Sequence, residues 1–412
     1  MIRKLKNIYH FLEALVSNII FDFPSRQIKV VGITGTDGKT TTTSLVYHIL
    51  KEAGFSVSMI STVYAKIGKK VYDTGLHTTT PSAYNIQKYL KEAVKNKDDY
   101  FVLETTAHAI DQYRIWGVVF QVGLITNVTH EHLKSVKGFD YFISYENYLM
   151  AKAKLFNQCK IGILNKDDES YLPLSKYLAT RKVVTKTYSL KKPAIYNWEN
   201  SFKTDLPGEY NRYNVLAAFS ICQSLGIPEK TITKAAQSFH LPPGRFEVVS
   251  EKNPMAILDF AHTINGIREL LKTVKGFKKD NSSRIIHVFG AAGHRDMTKR
   301  DLMGQASSEY ADVVILTEED YRTEDPLKIS KDIAVGLTKN GFKEVGVSDL
   351  KKGKKKYTFI ADRKKAIQTA FSIANSNDII VSTGKGHEKS LCRGNKEYPW
   401  DEKKVILDAL KK

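Results

Sequence analysis

The sequence predicts an α/β protein: a P-loop-type central domain with a parallel sheet, followed by a second, Rossmann-like α/β domain. Three observations predict it. From Gln27 onward, short apolar runs alternate with helical stretches, the rhythm of a parallel sheet covered by helices on both faces. The first run, Ile28 to Ile33, opens directly into Thr34-Gly35-Thr36-Asp37-Gly38-Lys39-Thr40-Thr41-Thr42, a strand, a glycine-rich turn and a helix start that can wrap phosphate in backbone N–H groups. The rigid, turn-prone stretch Leu241-Pro242-Pro243-Gly244 then separates this series of strands from a second one and reads as a hinge.

Residues 1–28 form the leading segment, in which Leu5, Ile8, Leu12, Leu15, Val16 and Ile19 recur at helical spacing behind Arg3, Lys4 and Lys6. Glu13 and Asn18 interrupt the apolar stretch, no small-residue cleavage site follows, and it is too short to span a bilayer comfortably, so an amphipathic helix is expected. It either packs on the domain that follows or docks on the inner membrane surface. The central domain, residues 29–240, takes its strands from Ile28 to Ile33, Val57 to Ile60, Tyr100 to Glu104, Val122 to Thr126 and Ile161 to Leu164. The second domain, residues 241–412, takes them from Ala256 to Asp259, Ile285 to Phe289, Val313 to Leu316, Tyr357 to Ile360 and Ile379 to Ser382. Ligands of such sheets gather at the carboxyl ends of the strands.

The chain is basic, with a net charge of +19, which favours anionic partners. No aromatic-interleaved basic block points to nucleic acid, and the lysines between Lys351 and Lys356 read as a solvated loop. Cys159, Cys222 and Cys392 stand far apart in no metal or redox spacing, which fits a reducing cytoplasm.

Chemistry concentrates at strand ends. In the glycine turn Lys39 is placed to reach terminal phosphates and Thr40 to hold Mg²⁺. Gly32, Gly35 and Gly38 give GxxGxxGKTT in place of the standard GxxxxGK[ST]. Glu104 ends a neighbouring strand and opens Glu104-Thr105-Thr106-Ala107-His108, where a carboxylate can ligate the nucleotide's Mg²⁺, or serve as an N-cap or in a structural ion pair. Asn127 ends the next strand, ahead of His130, Glu131 and His132. Lys152, on a predicted helix, reads from sequence alone as a surface lysine. In the second domain Asp259-Phe260-Ala261-His262, Gly290 to Asp296 and Gly384-Lys385-Gly386-His387-Glu388 each follow a strand, and the middle one pairs a glycine turn with basic groups suited to phosphate or carboxylate.

Together these residues resemble the Mur ligases, the ATP-dependent amide-forming enzymes of peptidoglycan precursor synthesis, and within them the MurE type, UDP-N-acetylmuramyl-tripeptide synthetases that add the third peptide residue. The resemblance runs from about residue 28 to the end. It implies ATP binding through Gly35, Thr36, Asp37, Gly38, Lys39, Thr40 and Thr41. Thr79-Thr80-Pro81-Ser82 is similar to the TTPSA substrate segment, and Glu104 to Arg114 to the EVSSH…Q-x-R stretch, which implies Thr79, Thr80, Thr106, His108 and Arg114 as contacts of a muramyl peptide. Glu104 would bind Mg²⁺. Asn127 to His132 resembles TN-x-x-x-D-H with Glu131 for Asp, implying Asn127 at the nucleotide and His132 on a second Mg²⁺. Lys152 falls on the lysine that this family carbamylates with CO₂, making it an anionic metal ligand. Asn211, Asn214, Arg245 and Asp259 match nucleotide-contacting elements.

The amino-acid pocket is implied by Arg295, Arg322, Gly384 and Glu388. Glu319-Asp320-Tyr321-Arg322 stands where the DNPR motif accompanies meso-diaminopimelate specificity. Arg322 is kept, Asp320 adds a negative charge, and Tyr321 removes a rigid turn, leaving meso-diaminopimelate and lysine both open. MurE-type enzymes usually begin with a further domain that grips UDP, and only about 28 residues precede the ATP loop here, so the expected acceptor is a lipid-linked muramyl peptide at the membrane, a UDP-linked one held weakly or by a partner, or a different acceptor altogether. The implied catalytic set is Lys39, Glu104, His132 and Lys152 in a monomeric, cytoplasmic ligase at or near the inner face of the membrane. It forms an acyl phosphate and then an amide, releasing ADP and phosphate. Two competing readings remain: a folylpolyglutamate-synthase-like ligase and a non-catalytic nucleotide-binding scaffold.

Overall fold

In the computed structural model, which describes residues 2–73, 79–129, 142, 144–198, 203–252 and 254–411, the chain divides into two compact units. One is built almost wholly from residues up to His240, the other from Leu241 onward.

The first unit opens with helix α1 (Ile2–Ile20) and then strand β1 (Lys29–Thr34), whose last five residues are all buried. Among the described residues its sheet runs in the order β4-β3-β2-β5-β1-β6-β7-β8-β9. These are β2 (Val57–Ile60), β3 (Ala65–Ile67), β4 (Lys70–Tyr72), β5 (Tyr100–Glu104), β6 (Phe120–Ile125), β7 (Cys159–Asn165), β8 (Val184–Ser189) and β9 (Tyr196–Asn197). All neighbours pair in parallel except where β3 and β4 fold back antiparallel at the edge. Parallel central strands are covered on both faces, which is why Val30, Val31, Ile33, Phe101, Val102, Leu103 and Leu124 form an unbroken apolar run rather than an alternating one.

Register places the chemistry. Ile33 pairs with Glu104, and Thr34 with Ile125, so the glycine turn after β1 sits between the ends of β5 and β6. Around the sheet lie α2 (Lys39–Glu52), α3 (Ala83–Lys95), α4 (Ala107–Asp111), α5 (Tyr145–Ala153), α6 (Tyr171–Ala179), α7 (Glu209–Ser224) and α8 (Glu229–Gln237). Capping residues fix several starts: Ser82, Thr106 and Ser144 each accept the N–H three residues on.

The second unit holds a sheet in the order β10-β11-β16-β12-β13-β15-β14, with a β17-β18 hairpin. Its strands are β10 (Glu247–Ser250), β11 (Met255–Asp259), β12 (Ile285–Phe289), β13 (Val313–Leu316), β14 (Lys343–Glu344), β15 (Lys356–Phe359), β16 (Ile379–Thr383), β17 (Ser390–Arg393) and β18 (Lys396–Pro399). Only β10 runs antiparallel in the larger sheet. Alternation along the pleat splits its core: Ile257, Phe289, Leu316 and Val381 face one layer, while Leu258, Val288, Ile315 and Ile380 face the other. Helices α9 (Ile264–Lys275), α10 (Arg300–Ser308), α11 (Pro326–Lys339), α12 (Arg363–Ile373) and α13 (Glu402–Ala409) complete it.

Helix α1 packs against α3, but not by the stripe its spacing suggests. Its inward face carries Phe11, Ala14, Ser17 and Asn18, whereas Ile8, Leu12, Val16 and Ile19 are exposed. Edge-on aromatic contacts of Phe11 with Trp116 and Tyr113, and a hydrogen bond from Asn18 Nδ2 to Trp116 O at 2.9 Å, hold it that way round. Among the described residues no helix is long and apolar enough to cross a membrane.

Candidate active site

The glycine turn is held open by its neighbours. Gly38 has φ +80°, and a Cβ there would meet Asn214 Oδ1 at 2.2 Å, so both backbone and space require glycine. Gly38 caps α2 with no side-chain hydrogen bond, and the first turn carries no acidic residue. The leading N–H groups of that helix therefore keep their capacity for an anion. Asn127 clamps the turn twice, accepting Asp37 N at 2.9 Å through Oδ1 and donating to Asp37 O at 3.1 Å through Nδ2. Its own carbonyl accepts Thr36 N, and Thr126 Oγ1 donates to Asp37 O. Asn214 donates to Asn211, and Thr42 Oγ1 reaches Asn214 Oδ1 at 3.5 Å. Lys39 Nζ folds back on Thr36 O at 2.7 Å, and Thr41 is buried in the first turn.

Glu104, fully buried, is the centre on which four segments converge. Its Oε1 accepts Thr40 Oγ1 at 3.0 Å and Thr62 Oγ1 at 2.7 Å, and its Oε2 accepts Thr62 N at 2.8 Å. Thr62 Oγ1 also reaches Thr79 Oγ1 at 3.1 Å. Thr80 Oγ1 donates to Glu104 O and accepts Thr106 N, while Arg114 Nη1 donates to Thr80 O at 2.9 Å. Thr79, Thr80, Thr106 and Arg114 thus gather beside the glycine turn, with His108 on the helix that Thr106 caps. Sequence reasoning missed Thr62, one threonine among many; its signal was a hydroxyl two residues beyond the end of β2.

Lys152 is not a surface lysine. It is 1% exposed, its Nζ donates to Gly35 O at 2.7 Å and lies 4.2 Å from the centre of the Tyr148 ring. Burial, then the nearby charge of Lys39, push its pKa well below the ordinary lysine value, against the opposing pull of Asp37. His130, Glu131 and His132 lie outside the described residues.

In the second unit the candidate residues fall on loops after adjacent strands. Asp259, ending β11, accepts Phe246 N and Ala261 N at 2.6 Å each, so its carboxylate braces the turn that carries Arg245. Arg245 packs over Phe260 and approaches His387 Nδ1 at 3.4 Å. Arg295, exposed, lies after β12, and Arg322 after β13; Gly293 joins the two loops by donating to Asp320 O and accepting from Arg322 Nη1 at 2.8 Å. Arg322 takes φ +54° without a proline before it, because its N–H donates to Cys392 O and its carbonyl accepts Gly394 N. Among the described residues no carboxylate pairs with its guanidinium.

Gly384 and Glu388 flank a residue that sequence reasoning passed over. Lys385 is fully buried, bonded to Asp320 at 2.8 Å and to Glu388. Burial alone lowers its pKa, but Glu388 and Asp320 outweigh that and raise it. The negative charge that Asp320 adds is therefore neutralised inside the fold, further satisfied by Cys392 N at 2.9 Å. Beside them Glu319 is buried with Oε2 unpaired, and burial followed by Asp320 raises its carboxyl from 4.5 to about 7. Between those values the unfolded chain ionises Glu319 and the folded chain does not, so its contribution to stability is full below pH 4.5 and is lost as pH rises towards 7. In urea titrations across that range, Glu319→Gln should gain stability relative to wild type as pH increases; a difference that does not vary with pH would contradict this assignment.

Comparison with known proteins follows the same geometry. Residues 33–222 match the Mur ligase middle domain, and residues 244–386 match the Mur ligase glutamate ligase domain. The chain is 34% identical to a Clostridium botulinum protein named UDP-N-acetylmuramoyl-L-alanyl-D-glutamate–2,6-diaminopimelate ligase, covering 97% of this chain and 81% of that one. It is 35% identical to the protein of the same name from Aquifex aeolicus, covering 95% and 79%. A solved structure of a ligase of that name superposes with a TM-score of 0.58 at 26% identity, over 93% of this chain and 78% of the other. At 17% identity and a TM-score of 0.67, covering 91% and 90%, a Yersinia pestis bifunctional folylpolyglutamate synthase/dihydrofolate synthase, solved with AMPPNP and a Mn ion, shares the fold. With both family domains matched along its length, and relatives more than 30% identical across nearly all of it, the chain belongs to the Mur ligase family of ATP-dependent ligases.

Proposed function

We propose that this ligase activates the free carboxylate of a muramyl dipeptide with ATP and joins it to a diamino acid, with 2,6-diaminopimelate as the favoured substrate. The observation that carries the reading is the convergence on Glu104 of the phosphate-loop Thr40, Thr62 and the Thr79–Thr80 segment. That arrangement supports the nucleotide's terminal phosphate and the acceptor being held side by side. In the first unit Thr79, Thr80, Thr106, His108 and Arg114 would bind the acceptor, and the glycine turn with Asn127, Asn211 and Asn214 would bind the nucleotide; for Arg245 and Asp259 of the second unit a nucleotide contact rests on the family resemblance.

The donors at Glu104 and Thr40 are hard carboxylate and hydroxyl oxygens, a set that fits Mg²⁺. A second ion would be shared by His132 and a carbamate on Lys152. When bound, these ions would draw charge from the γ-phosphate. Lys39, which in the structure bonds Thr36 O, would release that carbonyl and add its own positive charge to the phosphate as the acceptor carboxylate attacks it. The resulting acyl phosphate is then attacked by the incoming amine, expelling phosphate. The protein's part is positioning and charge compensation rather than a nucleophile of its own.

A carbamate forms when a neutral amine adds to CO₂ and releases a proton. The depressed pKa of Lys152 supports this chemistry, because burial disfavours the ammonium form and so favours the neutral amine that carbamate formation needs.

The choice of diamino acid rests on Arg322, whose guanidinium can grip a second carboxylate, and on the names of the relatives. Gly384 and Glu388 would take the distal amino end and Arg295 the other carboxylate. Arg322→Ala should cut kcat/KM for 2,6-diaminopimelate by about 10² or more, as expected for loss of a bidentate charge-assisted contact, and leave lysine use within about threefold. Equal loss with both would show that the pocket has been misread. The reading as a whole is checked by ADP release over a matrix of acceptors, UDP-linked and lipid-linked muramyl dipeptides and folate, against diaminopimelate, lysine and glutamate. Release should need a muramyl acceptor and a diamino acid together; turnover with folate and glutamate would favour a folylpolyglutamate-synthase-like ligase, and binding of ATP without any turnover a scaffold. We place the enzyme as a monomer in the cytoplasm, where ATP is available; three free, buried cysteines accord with that compartment.

A further inference from the structure

Helix α1 turns its more apolar face outward. Ile8, Tyr9, Leu12, Val16, Ile19 and Ile20 are each between 51% and 65% exposed, and at one turn per 3.6 residues they occupy a sector of about 120°. The opposite side is already used: Ala14, Ser17 and Asn18 are buried, Phe11 meets Trp116 and Tyr113 edge-on, and Phe21 meets Tyr84. Packing among the described residues does not account for the outer stripe, and a contiguous patch of large apolar side chains on a folded protein marks an interaction surface.

Charge says what kind. Arg3, Lys4 and Lys6 cluster at the amino end of the helix, and its single acidic residue, Glu13, lies 3.5 Å from His10. An apolar stripe with a basic end on a helix unable to span a bilayer is the pattern of an in-plane interfacial helix. A second copy of a chain carrying +19 would be repelled, whereas an anionic bilayer surface would attract it.

We propose that α1 docks this protein on anionic phospholipid bilayers, lying in the plane of the interface with Ile8, Leu12, Val16 and Ile19 inserted and the basic end on the headgroups. None of this draws on the chemistry of the ATP site.

The test is co-sedimentation of the full chain with vesicles of equal phosphatidylcholine and phosphatidylglycerol, and with phosphatidylcholine alone. Binding to the anionic vesicles should be at least tenfold tighter and should weaken with salt. Leu12→Asp combined with Val16→Asp should lower it at least tenfold, with circular dichroism and thermal melting unchanged. If that pair unfolds the helix, Leu12→Ser alone should give a smaller fall in binding, and Lys4→Glu with Lys6→Glu should remove most of the salt dependence. Absence of binding to anionic vesicles, equal binding to neutral ones, or binding untouched by the stripe variants would overturn the proposal. So would a dimer, seen by sedimentation velocity, that the stripe variants dissociate, since that assigns the face to a second copy.

Discussion

Lys39→Ala should abolish phosphate release with every pair of acceptor and amino acid, lowering kcat by about 10³-fold or more, while leaving the fold intact. The reasoning is electrostatic. Lys39 is the cation of the glycine turn, and its side chain makes a bond to Thr36 O at 2.7 Å that holds it beside the helix start. Removing a preorganised charge from the point where negative charge is transferred costs about 10²–10³-fold even for a neutral donor. Because Asn127 and Thr126 together make three hydrogen bonds to Asp37 of the turn that do not involve Lys39, thermal melting of the variant should move little. Residual turnover within tenfold of wild type would mean that another cation does this work.

Lys152→Ala should have the next largest effect, about 10²–10³-fold in kcat, for a different reason. The side chain is enclosed by Gly35 O and the Tyr148 ring, too deep for solvation, so a protonated amine there is costly. A carbamate in its place would supply an anion to a metal next to the phosphate loop. Activity should accordingly fall when CO₂ and bicarbonate are stripped from wild type and return on their addition, with a carbamate carbon visible by NMR under ¹³CO₂. Lys152→Ala should show no such dependence. If wild type is indifferent to CO₂, or the variant is fully active, Lys152 is only a buried support of the Gly35 carbonyl.

The strands at the centre of both sheets could be read from the chain because burial on both faces leaves them as plain apolar runs; Val57–Ile60, Tyr100–Glu104, Ile285–Phe289 and Val313–Leu316 begin and end where the pattern says. Edge strands could not. Lys70–Tyr72 is only three residues long and largely exposed, and Lys396–Pro399 is exposed and mostly polar, so neither presents the apolar run that marks a buried strand. Helix α1 was legible as a helix but not in its orientation, since its aromatic partners, Tyr113 and Trp116, lie some hundred residues away.

At the site, the glycine turn and Glu104 were legible through their spacing to strand ends. Lys385 was not, because its meaning comes from Asp320, 65 residues earlier, and Glu319 gains its raised pKa only from the same enclosure. For Lys152, read from sequence alone as a surface lysine, neither its burial nor its depressed pKa was legible, since both come from Gly35, Tyr148 and Lys39 folded around it.

The most direct test of the central claim is analysis of the product by mass spectrometry after incubation with ATP, Mg²⁺, a muramyl dipeptide and 2,6-diaminopimelate. The account predicts a muramyl tripeptide joined by a new amide, with one ADP and one phosphate formed per amide and none when Lys39 is alanine. ATP hydrolysis without amide, or an amide formed equally well by Lys39→Ala, would contradict it.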